Sequence, residues 1–344
     1  PFTNVTSEVF CAERWGQCGA TVLLYRHYKR TGSIWSHIYS TSRRAVAGYT
    51  NEGMICYIWD PVVAQRAIAN GGATSSSCGV PKLGQNLNPA DASYNSGSWP
   101  WLVGVCRGPS TATCDTLMCA GSIIGSQWIL TSASCAKKIA AGRSTVRAGA
   151  FGYREAVGGS NGAQQVLITS VITHPNYNRP AFHNDIALLK LGSALSYGSR
   201  VQPVCVPRSD NGFTASGKPA YVTGWSRGGI FGSVSNTPRL VKMAAVGGRA
   251  CVNKYQTVWL AINHTSIVCY DEGVVQPSDS CIEEVEGSPA VAAAAHGPYF
   301  QYGVSTPSFL SCESTFPRLF TRVSDYCDFL RAAMGTDVCT GGAD

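Results

Sequence analysis

From Trp99 onward the chain repeats one pattern: short runs of β-branched and aromatic residues, cut at close intervals by glycine and proline. The runs are "WLVGV", "GSIIGSQWILTSAS", "STVRAGAF", "QQVLITSVITH", "DIALLKL", "AYVTGW", "FQYGVS" and "RLFTRV". Each has the length and composition of a strand, and their regular recurrence restricts the chain to an all-β barrel or sandwich. Only the stretch "VSDYCDFLRAAMG" has helical spacing, which puts Val323, Tyr326, Phe329, Leu330 and Met334 on one face.

The 344 residues are 44% apolar, enough to bury a sizeable core as one large domain or two smaller ones. A formal net charge of +7 is modest for this length, and no run of basic residues is longer than pairs such as Arg43-Arg44 and Lys137-Lys138. That argues against a nucleic-acid partner. The 15 cysteines occur singly, with no C-x-x-C pair, so they read as disulfides formed in an oxidising compartment and not as a metal site. N-x-T sequons at Asn4 and Asn263 suit a secreted glycoprotein, and a chain beginning at Pro1 suggests that a signal peptide has been removed. The apolar run "AVAAAAH" is far too short to span a membrane. A soluble, extracellular protein is expected.

Three regions follow. Residues 1–72 carry aromatic-rich runs, "TVLLYRHY", "WSHIYST" and "MICYIWD", that suit a small β-rich segment. Residues 73–98 form a linker rich in Gly, Ser, Asn and Pro without apolar periodicity. Residues 99–344 form the main domain.

Several segments together carry a family resemblance. "SWPWLVGV", "CAGSIIGSQWILTSASC", "HPNYN", "NDIALLKL", "VQPVCVP", "YVTGW", "DSC" and "RLFTRVSDY" stand in the order and spacing of the trypsin-like serine proteases, over roughly residues 78 to 335. The resemblance implies a double six-stranded β-barrel ending in a helix. It pairs Cys78 with Cys205, Cys119 with Cys135, Cys251 with Cys269 and Cys281 with Cys312. A further family bridge is missing as a pair, since both of its positions, Ala220 and Ala292, are alanine. Cys106 and Cys114 are close enough in sequence to close a short loop, while the pairing of Cys11, Cys18, Cys56, Cys327 and Cys339 stays open. The odd total leaves at least one thiol free or bonded between molecules, with Cys11 the candidate.

Acyl transfer in this family needs a serine activated by a histidine that an aspartate orients. The resemblance places Asp185 at the aspartate, Ser134 at the histidine and Glu286 at the nucleophile, with Glu283 and Glu284 beside the oxyanion turn. A serine hydroxyl does not take a proton near neutral pH as imidazole does, and carboxylates would repel a developing oxyanion. No group is then expected to activate a nucleophile, and the activation switch lacks both its basic cleavage residue and, at Val285, its aspartate. The expectation is therefore a chain that is not an enzyme. "GSPAV" and "VRAGAF" resemble in particular the masquerade-like serine protease homologues. At the specificity pocket Asp279 matches the carboxylate that selects basic side chains, while Arg318 replaces the glycine that keeps the pocket open and is expected to meet Asp279 internally. Asp185 and Glu286 are too few donors for calcium, so neither metal nor cofactor is expected.

The expected function is binding or scaffolding among other secreted proteins, in body fluid or matrix. The alternative is a structural subunit of a disulfide-linked or self-assembled extracellular structure. Residues Tyr25-Arg26, His37-Ile38-Tyr39, Gly48-Tyr49 and Glu52-Gly53 resemble one copy of an aromatic β repeat of surface-associated proteins, which makes glycan contact through the N-terminal segment a further expectation.

Overall fold

A computed structural model describes residues 22–31, 34–40, 50–58, 78–80, 99–108, 114–157, 162–178, 183–210, 212–228, 233–258, 262, 265–271, 282–293, 298–307 and 316–340. The chain divides into two compact units, Pro1–Thr74 and Ser75–Asp344.

In the first unit, β1 (Val22–Thr31), β2 (Ile34–Ser40) and β3 (Thr50–Ile58) form an antiparallel sheet of order β2-β1-β3. These are the three aromatic-rich runs of the sequence. Irregularities between Leu24 and Tyr25 and between Arg26 and His27 interrupt the β1–β3 register, while β1–β2 pairs without a break.

The second unit holds two closed antiparallel barrels. The first runs β4 (Leu102–Arg107), β5 (Leu117–Gly125), β6 (Trp128–Thr131), β7 (Ser144–Ala148), β8 (Gln164–Thr173) and β9 (Ala187–Leu191), closed in the order β4-β5-β6-β9-β8-β7. Short β10 (Val206–Pro207) then leads to β11 (Pro219–Gly224) and β12 (Ser226–Gly228). After these come β13 (Arg239–Val246), β14 (Ile267–Asp271), β15 (Ile282–Glu284), β16 (Pro289–Ala293), β17 (Tyr299–Ser305) and β18 (Arg318–Arg322). The second barrel closes as β11-β13-β14-β18-β17-β16, with β12 and β15 paired outside it. Closure removes the exposed edges that an open sheet of this apolar content would present.

The core follows from the runs that defined the strands. Ile123, Ile129, Leu130, Val146, Ile168, Leu188 and Leu189 are fully buried in one cluster with Trp99 and Trp101. Those two indoles meet edge to face with centroids 5.7 Å apart, an arrangement favoured by the ring quadrupole. The helical pattern at the end is realised as a 3-10 turn, Val323–Tyr326, and a helix, Cys327–Met334. It stops at Gly335, whose φ of 73° lets its N–H reach back to Arg331 O. Val323, Tyr326 and Leu330 are buried, while Phe329 and Met334 are half-buried against the same core.

Disulfides join Cys78 to Cys205, Cys106 to Cys114, Cys119 to Cys135, Cys251 to Cys269 and Cys327 to Cys339. Cys11, Cys18, Cys281 and Cys312 lie outside the described residues, as do Asn4 and Asn263. Ala220 and Ala292 are both buried, on β11 and β16, whose register pairs Tyr221 with Val291 and Val222 with Ala290. No helix among the described residues is long and apolar enough to cross a membrane.

Candidate functional site

The site begins where β6 ends. Ser132 caps a one-turn helix, α1 (Ala133–Ala136), by accepting the Cys135 N–H at 3.1 Å. The Cys119–Cys135 disulfide ties that turn to β5. Ser134 therefore sits on a buried turn fixed both by its cap and covalently.

Asp185 comes from the turn entering β9. Asn184 occupies the left-handed region at φ 56°, which asparagine tolerates better than most residues. Its side chain donates to Asn176 O at 2.9 Å and accepts from the Tyr326 hydroxyl at 3.1 Å. This braced turn aims Asp185 inward, where it is fully buried. Oδ1 accepts the Ser134 N–H at 2.7 Å, and Oδ2 accepts the Ser134 hydroxyl at 2.9 Å. Ser134 Oγ also lies 3.0 Å from Ser132 Oγ. From the second barrel, the Thr321 hydroxyl donates to Asp185 O at 2.9 Å.

Burial pushes the Asp185 carboxyl up to about 7. The hydrogen bonds from Ser134 pull it down, and the nearby Glu286 charge raises it further.

Glu286 is placed by backbone. Its carbonyl accepts the Ala120 N–H at 2.9 Å, the Val285 N–H reaches Trp225 O at 2.8 Å, and the Gly287 N–H reaches Ser305 O at 3.0 Å. Gly287 stands at φ +84°, and a Cβ there would lie 2.2 Å from Ala120 O and 2.3 Å from Thr131 Oγ1. Only glycine fits so close an approach. The Glu286 carboxylate is 18% exposed, and its Oε2 lies 2.7 Å from the Lys138 Nζ, itself 46% exposed. Lys137 goes elsewhere, over the Tyr177 ring at 4.6 Å. Ser288 is buried, its hydroxyl donating to Val285 O at 2.8 Å.

The structure thus brings Ser134, Asp185 and Glu286 into one site where the barrels meet, and adds two partners that motif matching did not single out, Ser132 and Lys138. Lys138 lies just past the helix that carries Ser134, and no motif signals its contact with Glu286. Glu283 and Glu284 fall on β15, which is laid antiparallel against β12 with Ser226 opposite Glu284, so an extended ladder stands where the resemblance puts the family's oxyanion turn. Arg318 opens β18, half-buried and opposite Tyr270. Its expected partner Asp279 lies outside the described residues. Among the described residues no cluster of three or more His, Cys, Asp or Glu could hold a metal ion.

A family model described as Trypsin matches residues 91–330. Ovochymase of Halocynthia roretzi is 30% identical over 250 residues, 71% of this chain and 15% of that protein. Serine proteinase stubble of Drosophila melanogaster is 26% identical, over 75% of this chain and 32% of that protein. Chymotrypsin-C of Mus musculus is 28% identical, over 75% of this chain and 94% of that protein. The chain spans under a third of the first two.

These comparisons correct the expectation of a chain that is not an enzyme, because they point to a protease family whose relatives are named as proteases. The sequence left no group to activate a nucleophile, and to that the structure adds what motif matching could not supply, the burial that raises the Asp185 carboxyl to about 7.

Proposed function

This chain belongs to the trypsin family, and we propose that it serves there as an extracellular binding or scaffolding protein, a role of the kind implied by its resemblance to the masquerade-like homologues. The observation that carries the reading is the Lys138–Glu286 ion pair, 2.7 Å long, at the position that the family resemblance assigns to the nucleophile. The groups of the site are engaged with one another: Ser134 with Asp185, and Glu286 with Lys138. A site whose polar groups are internally paired is suited to presenting the loops around it as a fixed surface. Five disulfides among the described residues support an extracellular setting, since such bonds persist in oxidising compartments.

The test is sedimentation of the protein from native extracellular fluid, followed by non-reducing gels of the same fractions. Co-sedimentation with a second extracellular chain in fixed ratio is the expected result. Sedimentation as a free monomer at physiological concentration, together with turnover of acyl esters, would overturn the binding reading in favour of hydrolysis.

A further inference from the structure

The N-terminal sheet has two unlike faces. Strand β2 alternates Trp35, His37 and Tyr39 with Ile34, Ser36, Ile38 and Ser40. Because neighbouring strand positions alternate between faces, the first three share one face and the other four share the opposite one. The unbroken β1–β2 register pairs Arg30 with Trp35, Tyr28 with His37 and Arg26 with Tyr39. Directly opposed positions on one face stand about 5 Å apart at Cβ. The face therefore carries guanidinium-bearing and aromatic residues in alternating cross-strand pairs. On the β3 side, Arg26 is opposite Gly53 and Tyr28 opposite Thr50, two small residues. Between Val22 and Ile58 the sequence has five basic residues, Arg26, Lys29, Arg30, Arg43 and Arg44, against one acid, Glu52.

We propose that this face is a binding platform for an acidic polysaccharide, a sugar polymer bearing sulfate or carboxylate groups, which lies across Arg26, Tyr28, Arg30, Trp35, His37 and Tyr39. Each half of the residue pattern matches one half of that ligand. Sugar rings present apolar C–H faces to aromatic residues, which combine an apolar body with a polar tip. Guanidinium groups form forked, charge-assisted hydrogen bonds with sulfate and carboxylate oxygens. The excess of basic over acidic residues supplies the long-range attraction. The inference concerns the first unit alone and does not rest on the barrels or on their proposed partner.

The experiment uses the full chain against immobilised heparin, hyaluronan and neutral dextran, with a single-stranded oligonucleotide as a further polyanion. Salt-dependent binding to heparin or hyaluronan is expected, and which of the two is stronger distinguishes sulfate from carboxylate. The pair Arg26→Gln/Arg30→Gln should lose about tenfold in affinity or more, and Trp35→Ala about tenfold with the salt dependence kept. Arg43→Gln/Arg44→Gln removes the same charge from outside the paired strands and should lose about threefold or less. Should the glutamine pair fail to fold by near-ultraviolet dichroism, Arg26→Lys/Arg30→Lys keeps the charge and should still lose several-fold, because an ammonium lacks the fork. Absent acidic-glycan binding, equal binding of dextran or of the oligonucleotide, an equal loss at Arg43/Arg44, or full affinity in the lysine pair would each overturn the proposal. None of these results would disturb the sedimentation test of the barrel domain.

Discussion

Replacing Asp185 with Asn should change how stability depends on pH, and the structure sets both sign and size. The Asp185 carboxyl is raised from 3.8 to about 7, first by burial, and is lowered by Ser134 and raised by Glu286. The folded chain thus holds this proton more tightly than the unfolded chain does. Its contribution to stability is fully present below 3.8 and is lost as pH rises to about 7. At about 1.4 kcal/mol per pH unit, the interval corresponds to a loss of about 4 kcal/mol, of which about 2.5 kcal/mol falls between about pH 5 and about pH 8. Asparagine is neutral throughout and keeps an acceptor for the Ser134 N–H, so any change in hydrogen-bond strength enters as a nearly constant offset. The Tyr326 hydroxyl, also coupled to Asp185, is pushed up to about 12 and does not titrate in that window. Urea denaturation of both proteins at intervals across it, disulfides intact, should show Asp185→Asn gaining on the native chain by about 1.4 kcal/mol per pH unit and levelling off above about pH 7. Curves that stay parallel from pH 5 to pH 8 would refute the reasoning.

Three further outcomes follow from the same geometry. Gly287→Ala combines a left-handed φ with a Cβ 2.2 Å from the Ala120 carbonyl, and should cost about 3 kcal/mol or more by urea denaturation, or prevent folding. Thr321→Val removes the hydroxyl that donates to Asp185 O across the two barrels, and should cost about 1 to 2 kcal/mol in the same assay. Cys78→Ser with Cys205→Ser opens a bridge between residues 127 apart in sequence, which the chain-entropy account values at about 5 kcal/mol, read as a lowered denaturation midpoint.

The strands were legible because strand composition is a local property: "WILT", "IALLKL" and "YVTGW" each announce a strand, whereas composition left barrel and sandwich both open and the two closed barrels were implied by the family resemblance. Ala220 and Ala292, which the family resemblance makes the two ends of one missing bridge, fall on β11 and β16, neighbours in the second barrel. A further helix, Gly248–Gln256, overturns the expectation that the C-terminal stretch alone is helical, and the C-terminal helix itself was legible in type but not in length. Spacing alone extends it from Val323, whereas the backbone runs through a 3-10 turn to Tyr326 before the α-helical bonds begin. Less legible was the state of the site. That Ser134 replaces a base could be read from alignment, but that Asp185 titrates near neutrality depends on complete burial and on a second carboxylate 101 positions further along, which no motif records.

The Lys138–Glu286 contact explains how a carboxylate can occupy a place that backbone geometry, and not side-chain chemistry, defines. The segment around Glu286 is held by Ala120 N–H to Glu286 O, Val285 N–H to Trp225 O and Gly287 N–H to Ser305 O, none of which involves the Glu286 side chain. Any residue there would be presented in much the same way, so substitution leaves the frame intact and changes only what the frame displays. The charge of Glu286 beside buried Asp185 raises the Asp185 carboxyl further. Asp185 can keep its proton up to about pH 7, and an exposed lysine four residues beyond Ser134 pairs with Glu286. An ion pair with one partner 46% exposed adds about 1 kcal/mol at most. Its larger consequence is therefore for the charge the site shows to solvent, since with Lys138 in place the mouth of the site presents a compensated pair instead of a lone anion.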